Sequence, residues 1–182
     1  FRPKQLSGGL LRRLNIACGI AHKPELIFLD EPTAAVDPQS RNNILEGIKQ
    51  LNKNGATIVY TTHYMEEVEQ LCNRIAILDK GKIITIGTKE DLKELVTIGE
   101  KITVDVQNLQ PELLEKLSKI KNVIECKYED NTLYVTYQKG EENLENMIDF
   151  LKKNNVKYDR IFSELPTLND VFLELTGKHL RD

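Results

Sequence analysis

The chain has 182 residues, 40% hydrophobic and 29% charged, with a formal net charge of −3. That is room for one sizeable domain or two small ones, and the charge excludes capture of nucleic acid by bulk attraction. Cys18, Cys72 and Cys126 are odd in number and far apart, which speaks against a disulfide framework or a metal knuckle, and no apolar run is long enough to span a bilayer.

No secretory leader is expected ahead of Gln5. Leu10 to Ala21 reads as a helix, with Leu11, Leu14, Ala17, Cys18 and Ala21 at three- and four-residue spacing. Pro24 stops it. Leu26-Ile27-Phe28-Leu29 is wholly apolar and predicts a short strand buried on both faces. Asp37 as N-cap and Pro38 at the first helical position open the next helix. Ile44, Ile48 and Leu51 form its inner face, and Gly55 ends it. Thr57 to Thr62 is β-branched and reads as a strand, and Met65 to Leu71 as a short helix. Strands over Arg74–Leu78 and Lys82–Ile86 flank a glycine-bearing turn, which makes a hairpin. Thr88 to Asp91 has the pattern of a capping box, opening a helix to about Val96. This order predicts an α/β fold with a mostly parallel sheet.

The pattern changes near Gly99. A strand (Ile102–Val106), a helix (Pro111–Lys119), two strands (Val123–Tyr128 and Thr132–Tyr137), a helix (Leu144–Lys153) and a strand (Lys157–Phe162) follow. That βαββαβ order is the ferredoxin-like unit. A last helix runs from Leu168 to about Leu175 and stops at Gly177. The expected domains are residues 1–98 and 99–182.

Three stretches carry chemistry. Ser7, Gly8 and Gly9 stand before the first helix. A helix N-terminus offers free N–H groups and partial positive charge, glycines admit a phosphate closely, and Ser7 adds a hydroxyl. Taken alone, this reads first as an ordinary Ser N-cap with flexible glycines. Leu26 to Glu31 puts two adjacent carboxylates at the end of an apolar strand, where open α/β sheets bind ligands. Successive side chains point to opposite sides. Asp30 can therefore hold Mg²⁺ through a water while Glu31 accepts a hydrogen bond from an attacking water; the plain alternative is an acid exposed at a strand end. His63 closes the next β-rich run and is placed to reach a phosphate and that water. His22, His179, Arg12 and Arg13 are expected at the surface with no ligand.

Together, Leu6-Ser7-Gly8-Gly9, the run from Leu26 to Pro38 and Thr57 to His63 resemble the nucleotide-binding domain of ABC ATPases over residues 1 to about 98. The resemblance implies that Ser7, Gly8 and Gly9 form the signature motif and that Asp30 is the Walker B carboxylate binding Mg²⁺. It likewise implies that Glu31 is the catalytic glutamate, that Ala34 to Asp37 are the D-loop and that His63 is the switch histidine. Ala35-Val36 departs from the commoner Gly-Leu or Ala-Leu before Asp37, which bears on D-loop contacts across a dimer. The implied ligands are ATP and Mg²⁺. In that family two domains pair head to tail, and each signature motif meets the γ-phosphate held by the partner domain.

The sequence holds no G-x-x-x-x-G-K-[ST] phosphate loop: its Gly-Lys pairs, Gly81-Lys82 and Gly177-Lys178, have neither the earlier glycine nor a following Ser or Thr. The expectation is that these residues are the C-terminal part of a longer protein, or of a split one, and are inactive alone. Leu165 to Asp182 resembles the tail of ABC-2 exporter ATPases of the daunorubicin-resistance type. That implies an ATP-hydrolysing subunit, peripheral on the cytoplasmic face of the cell membrane, working with a separate ABC-2 permease and without nucleic acid. The alternatives are a non-transport ABC protein or a non-catalytic dimerisation module.

Overall fold

A computed structural model describes Arg2 and residues 5–177 of the chain; His179 lies outside the described residues. The chain divides into two compact units, with the change between Ile75 and Ala76.

The first unit contains α1 (Gly8–Ile20), β1 (Leu26–Asp30), α2 (Pro38–Lys53), β2 (Thr57–Thr61) and α3 (Met65–Leu71). β1 and β2 pair in parallel, Leu26 opposite Thr57 through Asp30 opposite Thr61, so both strands end at one edge. Asp37 caps α2 as expected, accepting a 2.9 Å hydrogen bond from the Ser40 N–H. At its other end the Gly55 N–H donates to the Asn52 carbonyl and the Ala56 N–H to the Leu51 carbonyl. Gly55, at φ +101°, takes the left-handed geometry that this double-bonded helix end requires.

Two expectations fail here. β1 is buried on one face only: Ile27 and Leu29 join Ile44 and Ile48 in the core, whereas Leu26 and Phe28 are exposed, Phe28 at 70%. Side chains alternate along a strand, and only one face of this pair carries helices from its own unit. The inner face of α1 also differs. Ile16 and Ile20, one turn apart, pack on that core, while Leu11, Leu14 and Cys18 are exposed. Leu10, Leu14 and Ala17 instead line an apolar groove of about 560 Å³ against Ile44, Ile48 and Leu51 of α2.

The second unit, from Ala76, takes in the rest of a hairpin of β3 (Ile75–Asp79) and β4 (Lys82–Gly87), turned by Lys80 and Gly81, both at positive φ. That is the two-residue turn matching strand twist. α4 (Lys89–Glu94) follows, with the expected Thr88–Asp91 capping box in place. Then come β5 (Ile98–Val106), α5 (Pro111–Leu117), β6 (Val123–Glu129), β7 (Thr132–Gln138), α6 (Asn143–Lys153), β8 (Tyr158–Glu164) and α7 (Leu168–Thr176).

The sheet order β6-β7-β5-β8, antiparallel throughout, is the ferredoxin-like arrangement expected from sequence. Ile102, Val104, Leu133, Val135, Met147 and Leu151 anchor its core. β5 starts earlier than expected because the ladder continues past a bulge at Gly99, where a Cβ would stand 2.5 Å from the Lys139 backbone. Asp170 of α7 is buried; it completes a capping box with Thr167 and pairs with Lys101.

Candidate active site

The parallel register of β1 and β2 brings Asp30, Glu31 and His63 to one edge of the first unit. Asp30, on the last residue of β1, accepts a hydrogen bond from the Thr61 hydroxyl opposite it. The ladder continues one step further, with the Glu31 N–H donating to the Thr61 carbonyl at 3.0 Å. Glu31 then turns sharply, at φ +45°, a conformation a non-glycine residue holds only when its surroundings impose it. Its Oε1 lies 2.8 Å from Nδ1 of His63. Its Oε2 is buried and has no hydrogen-bond partner among the described residues.

The loop after Glu31 is short and bonded to itself. Ala34 donates to the Glu31 carbonyl and Val36 to the Thr33 carbonyl, and Ala35 takes φ +58°. This delivers Asp37 to the start of α2. Hydrogen bonds from the Ser40 side chain and N–H hold the Asp37 carboxyl below the usual carboxylate range.

Ser7 caps α1, its Oγ accepting from the Leu10 N–H at 3.3 Å. Gly8 is exposed and would accept a Cβ without contact. Gly9 differs: a Cβ there would stand 2.1 Å from Ser40 Oγ and 3.4 Å from Asp37 Oδ2. The second glycine therefore lets α1 seat on the first turn of α2. The predicted residues thus gather in two groups, Asp30 with Glu31 and His63, and Gly9 with Asp37. Among the described residues no hydrogen bond joins Ser7, Gly8 or Gly9 to Asp30, Glu31 or His63. Arg12 is half-buried, and Arg13 and His22 are exposed.

A feature not read from the sequence lies beneath the first group. Glu67 of α3 is 2% exposed. Its Oε1 accepts from the Thr33 hydroxyl at 2.7 Å and lies 3.6 Å from Nε of Arg41. Its Oε2 accepts from the Tyr60 phenol at 2.7 Å and the Thr62 hydroxyl at 3.0 Å. Burial, then the bond to Glu67, pushes the Tyr60 phenol up from its usual value. The Arg41 guanidinium also stands 4.4 Å over the Tyr64 ring, which leans on the His63 ring. Only the run of hydroxyl residues, Thr33, Tyr60 and Thr62, hinted that a carboxylate would sit among them.

The donor set suits a nucleotide and a divalent cation in its chemistry. Asp30 is an exposed carboxylate with one oxygen bonded to Thr61, the kind of ligand Mg²⁺ takes through water. The unpartnered Oε2 of Glu31 is an acceptor in want of a donor. The end of α1 offers unpaired N–H groups beside open space at Gly8. Among the described residues no cluster of three His, Cys, Asp or Glu groups forms a self-sufficient metal site, and no helix is long and apolar enough to cross a membrane.

The chain is similar to known ATP-binding proteins. Residues 87–176 match the family model described as the C-terminal domain of ATP-binding protein DrrA1-3-like, and residues 1–69 match one described as an AAA domain, putative AbiEii toxin, Type IV TA system. The linearmycin resistance ATP-binding protein LnrL of Bacillus subtilis is 39% identical over 97% of this chain and 57% of its own length. The daunorubicin resistance ATP-binding protein DrrA3 of Streptomyces coeruleorubidus is 33% identical over 98% of this chain and 56% of its own. The Nod factor export ATP-binding protein I of Cupriavidus metallidurans is 35% identical over 98% and 56%. A solved ATP-binding subunit of an ABC transporter is 29% identical over 51% of this chain and 39% of its own, with a TM-score of 0.47. The chain spans a little over half the length of the curated relatives it matches. It belongs to the ABC ATP-binding proteins, and residues 87–176 form its DrrA1-3-like C-terminal domain.

Proposed function

We propose that this chain is the signature-to-C-terminal portion of the ATP-hydrolysing subunit of an ABC-2 type exporter. The observation that carries the reading is the Glu31–His63 contact at the shared end of β1 and β2, one residue from Asp30. Residues 1–98 belong to the ATPase domain and 99–182 to an accessory domain. The three relatives named above, two for drug resistance and one for Nod factor export, support export as the coupled process.

The geometry of the strand ends supports the following roles. Hydrolysis of a phosphoanhydride needs positioning and charge stabilisation above all. Bound Mg²⁺ supplies neutralisation of phosphate charge. Asp30 holds that ion through its exposed carboxylate. Glu31 orients and deprotonates the attacking water. His63, with Nδ1 donating to Glu31, meets the γ-phosphate through Nε2, which donates to a phosphate oxygen in the imidazolium form. Ser7, Gly8 and Gly9 serve nucleotide held by a second ATPase domain in a head-to-tail pair, consistent with their lack of bonds to the Glu31 group. Asp37 belongs to the same interface through its place beside Gly9. A P-loop from outside these 182 residues completes the site, and the chain by itself does not turn over ATP.

The partner is a membrane permease, which places the subunit at the cytoplasmic face. Pull-down from source membranes tests this. Recovery of a multi-span membrane protein whose transport requires ATP is the expected result; sedimentation with ribosomes and no permease would contradict it.

A further inference from the structure

Among the described residues, Glu67 is the one fully buried charged side chain of the first unit. A carboxylate is buried only where it is paired and fully bonded. Here both oxygens are occupied, by three hydroxyl donors and the Arg41 guanidinium. An acceptor-only group can take all three hydroxyls at once while its charge pairs with Arg41 at 3.6 Å, which no neutral side chain of that size can do.

These four partners are not scattered. Thr33 is two residues beyond Glu31, in the loop that Glu31 enters at positive φ. Thr62 directly precedes His63, and its oxygen also accepts from the Tyr64 N–H on the far side of His63 at 3.0 Å. Tyr60 precedes Thr61, the residue bonded to Asp30. Arg41 lies one turn beyond Asp37 on α2. Glu31, His63 and Asp37 therefore each have a near neighbour in sequence tied to one carboxylate.

We propose that Glu67 is the positioning residue of this site: by binding Thr33 and Thr62 together it sets the approach of Glu31 to His63. The inference rests on the reading of Glu31 and His63 given above. It goes beyond it in assigning their alignment to a residue that touches neither.

The test uses ATP turnover by the complete P-loop-containing protein with its partner subunits. Glu67→Gln keeps the shape, removes the pairing with Arg41 and turns one acceptor into a donor. The expected result is a kcat lower by roughly ten- to a hundredfold with KM for ATP unchanged, the signature of misplaced reacting groups. In a His63→Ala background the same substitution should cost nothing further, because Glu67 acts through His63. Thr33→Val, which deletes one donor at nearly constant shape, should show a smaller fall with the same split, and it decides the matter should Glu67→Gln not fold. An unchanged kcat for Glu67→Gln or, failing that, Thr33→Val would overturn the proposal. So would a full multiplicative loss in the His63→Ala background. Should His63→Ala leave kcat intact, the site reading itself falls and takes this inference with it.

Discussion

Nδ1 of His63 lies 2.8 Å from Oε1 of Glu31 although 32 residues separate them in sequence. The parallel pairing of β1 and β2 makes the meeting possible, since both strands run out at one edge. A carboxylate accepts and does not donate, so the contact places a proton on Nδ1 and leaves Nε2 for a second partner. This can be read without nucleotide. Nitrogen chemical shifts of neutral His63 should report the Nδ1–H tautomer, and Glu31→Ala should release it to the Nε2–H form of a free imidazole. An Nε2–H tautomer in the unsubstituted chain would contradict the pairing.

The two glycines of the signature stretch should behave differently. Gly9→Ala places a methyl within 2.1 Å of Ser40 Oγ and 2.5 Å of Ser40 Cβ. Overpacking of this kind costs about 1–3 kcal/mol. Gly8→Ala meets nothing within 4 Å and should leave stability unchanged to within about 0.5 kcal/mol. Ser40→Gly should restore part of what Gly9→Ala loses. Thermal unfolding of the four variants checks this, and equal losses at the two glycines would refute the packing role.

The two units should differ in local stability. Among the described residues the second has eleven buried residues in one core, the first four. Phe28, Leu26, Leu10 and Leu14 of the first are exposed, and the apolar area they leave in water contributes no stabilisation. Hydrogen exchange should be slow in β5 and β7 and markedly faster in β1 and β2. Equal protection in the two sheets would count against this.

Asp170 makes the C-terminal helix sensitive to acid. Burial raises its pKa, but the bonds from Lys101 and Thr167 outweigh burial and hold the carboxyl below its ordinary value. A depressed folded-state pKa contributes stability above the unfolded value, about 3.9, that is lost as pH falls through the folded one. Denaturant unfolding of the second unit should weaken through that window. Asp170→Asn should remove the dependence and about 2 kcal/mol at neutral pH.

Much of the fold was legible because local signals decided it. Asp37-Pro38, the Thr88–Asp91 box and the Lys80-Gly81 turn each specify one backbone geometry, and each is present. What failed depended on partners. The apolar run of β1 was read as doubly buried, yet burial needs a second layer, and its own unit supplies helices to one face only. The face of α1 was misjudged for the same reason: Leu11 and Leu14 have the right spacing, but Ile16 and Ile20 meet the core. At the candidate site, strand ends and alternation placed Asp30, Glu31 and His63 together. Glu67 escaped notice because a glutamate in Met65-Glu66-Glu67 reads as a solvated helix face. Its burial follows from hydroxyls contributed by the loop after β1 and the end of β2.

The most direct test of the account is ATP turnover by the purified 182-residue chain, alone and after addition of a P-loop-bearing ATPase segment from a close relative, each with and without Glu31→Gln. The account predicts no turnover above background for the chain alone. It predicts turnover on complementation, and a loss of roughly a hundredfold or more when Glu31 is replaced. Hydrolysis by the chain alone, or complemented hydrolysis indifferent to Glu31→Gln, would contradict it.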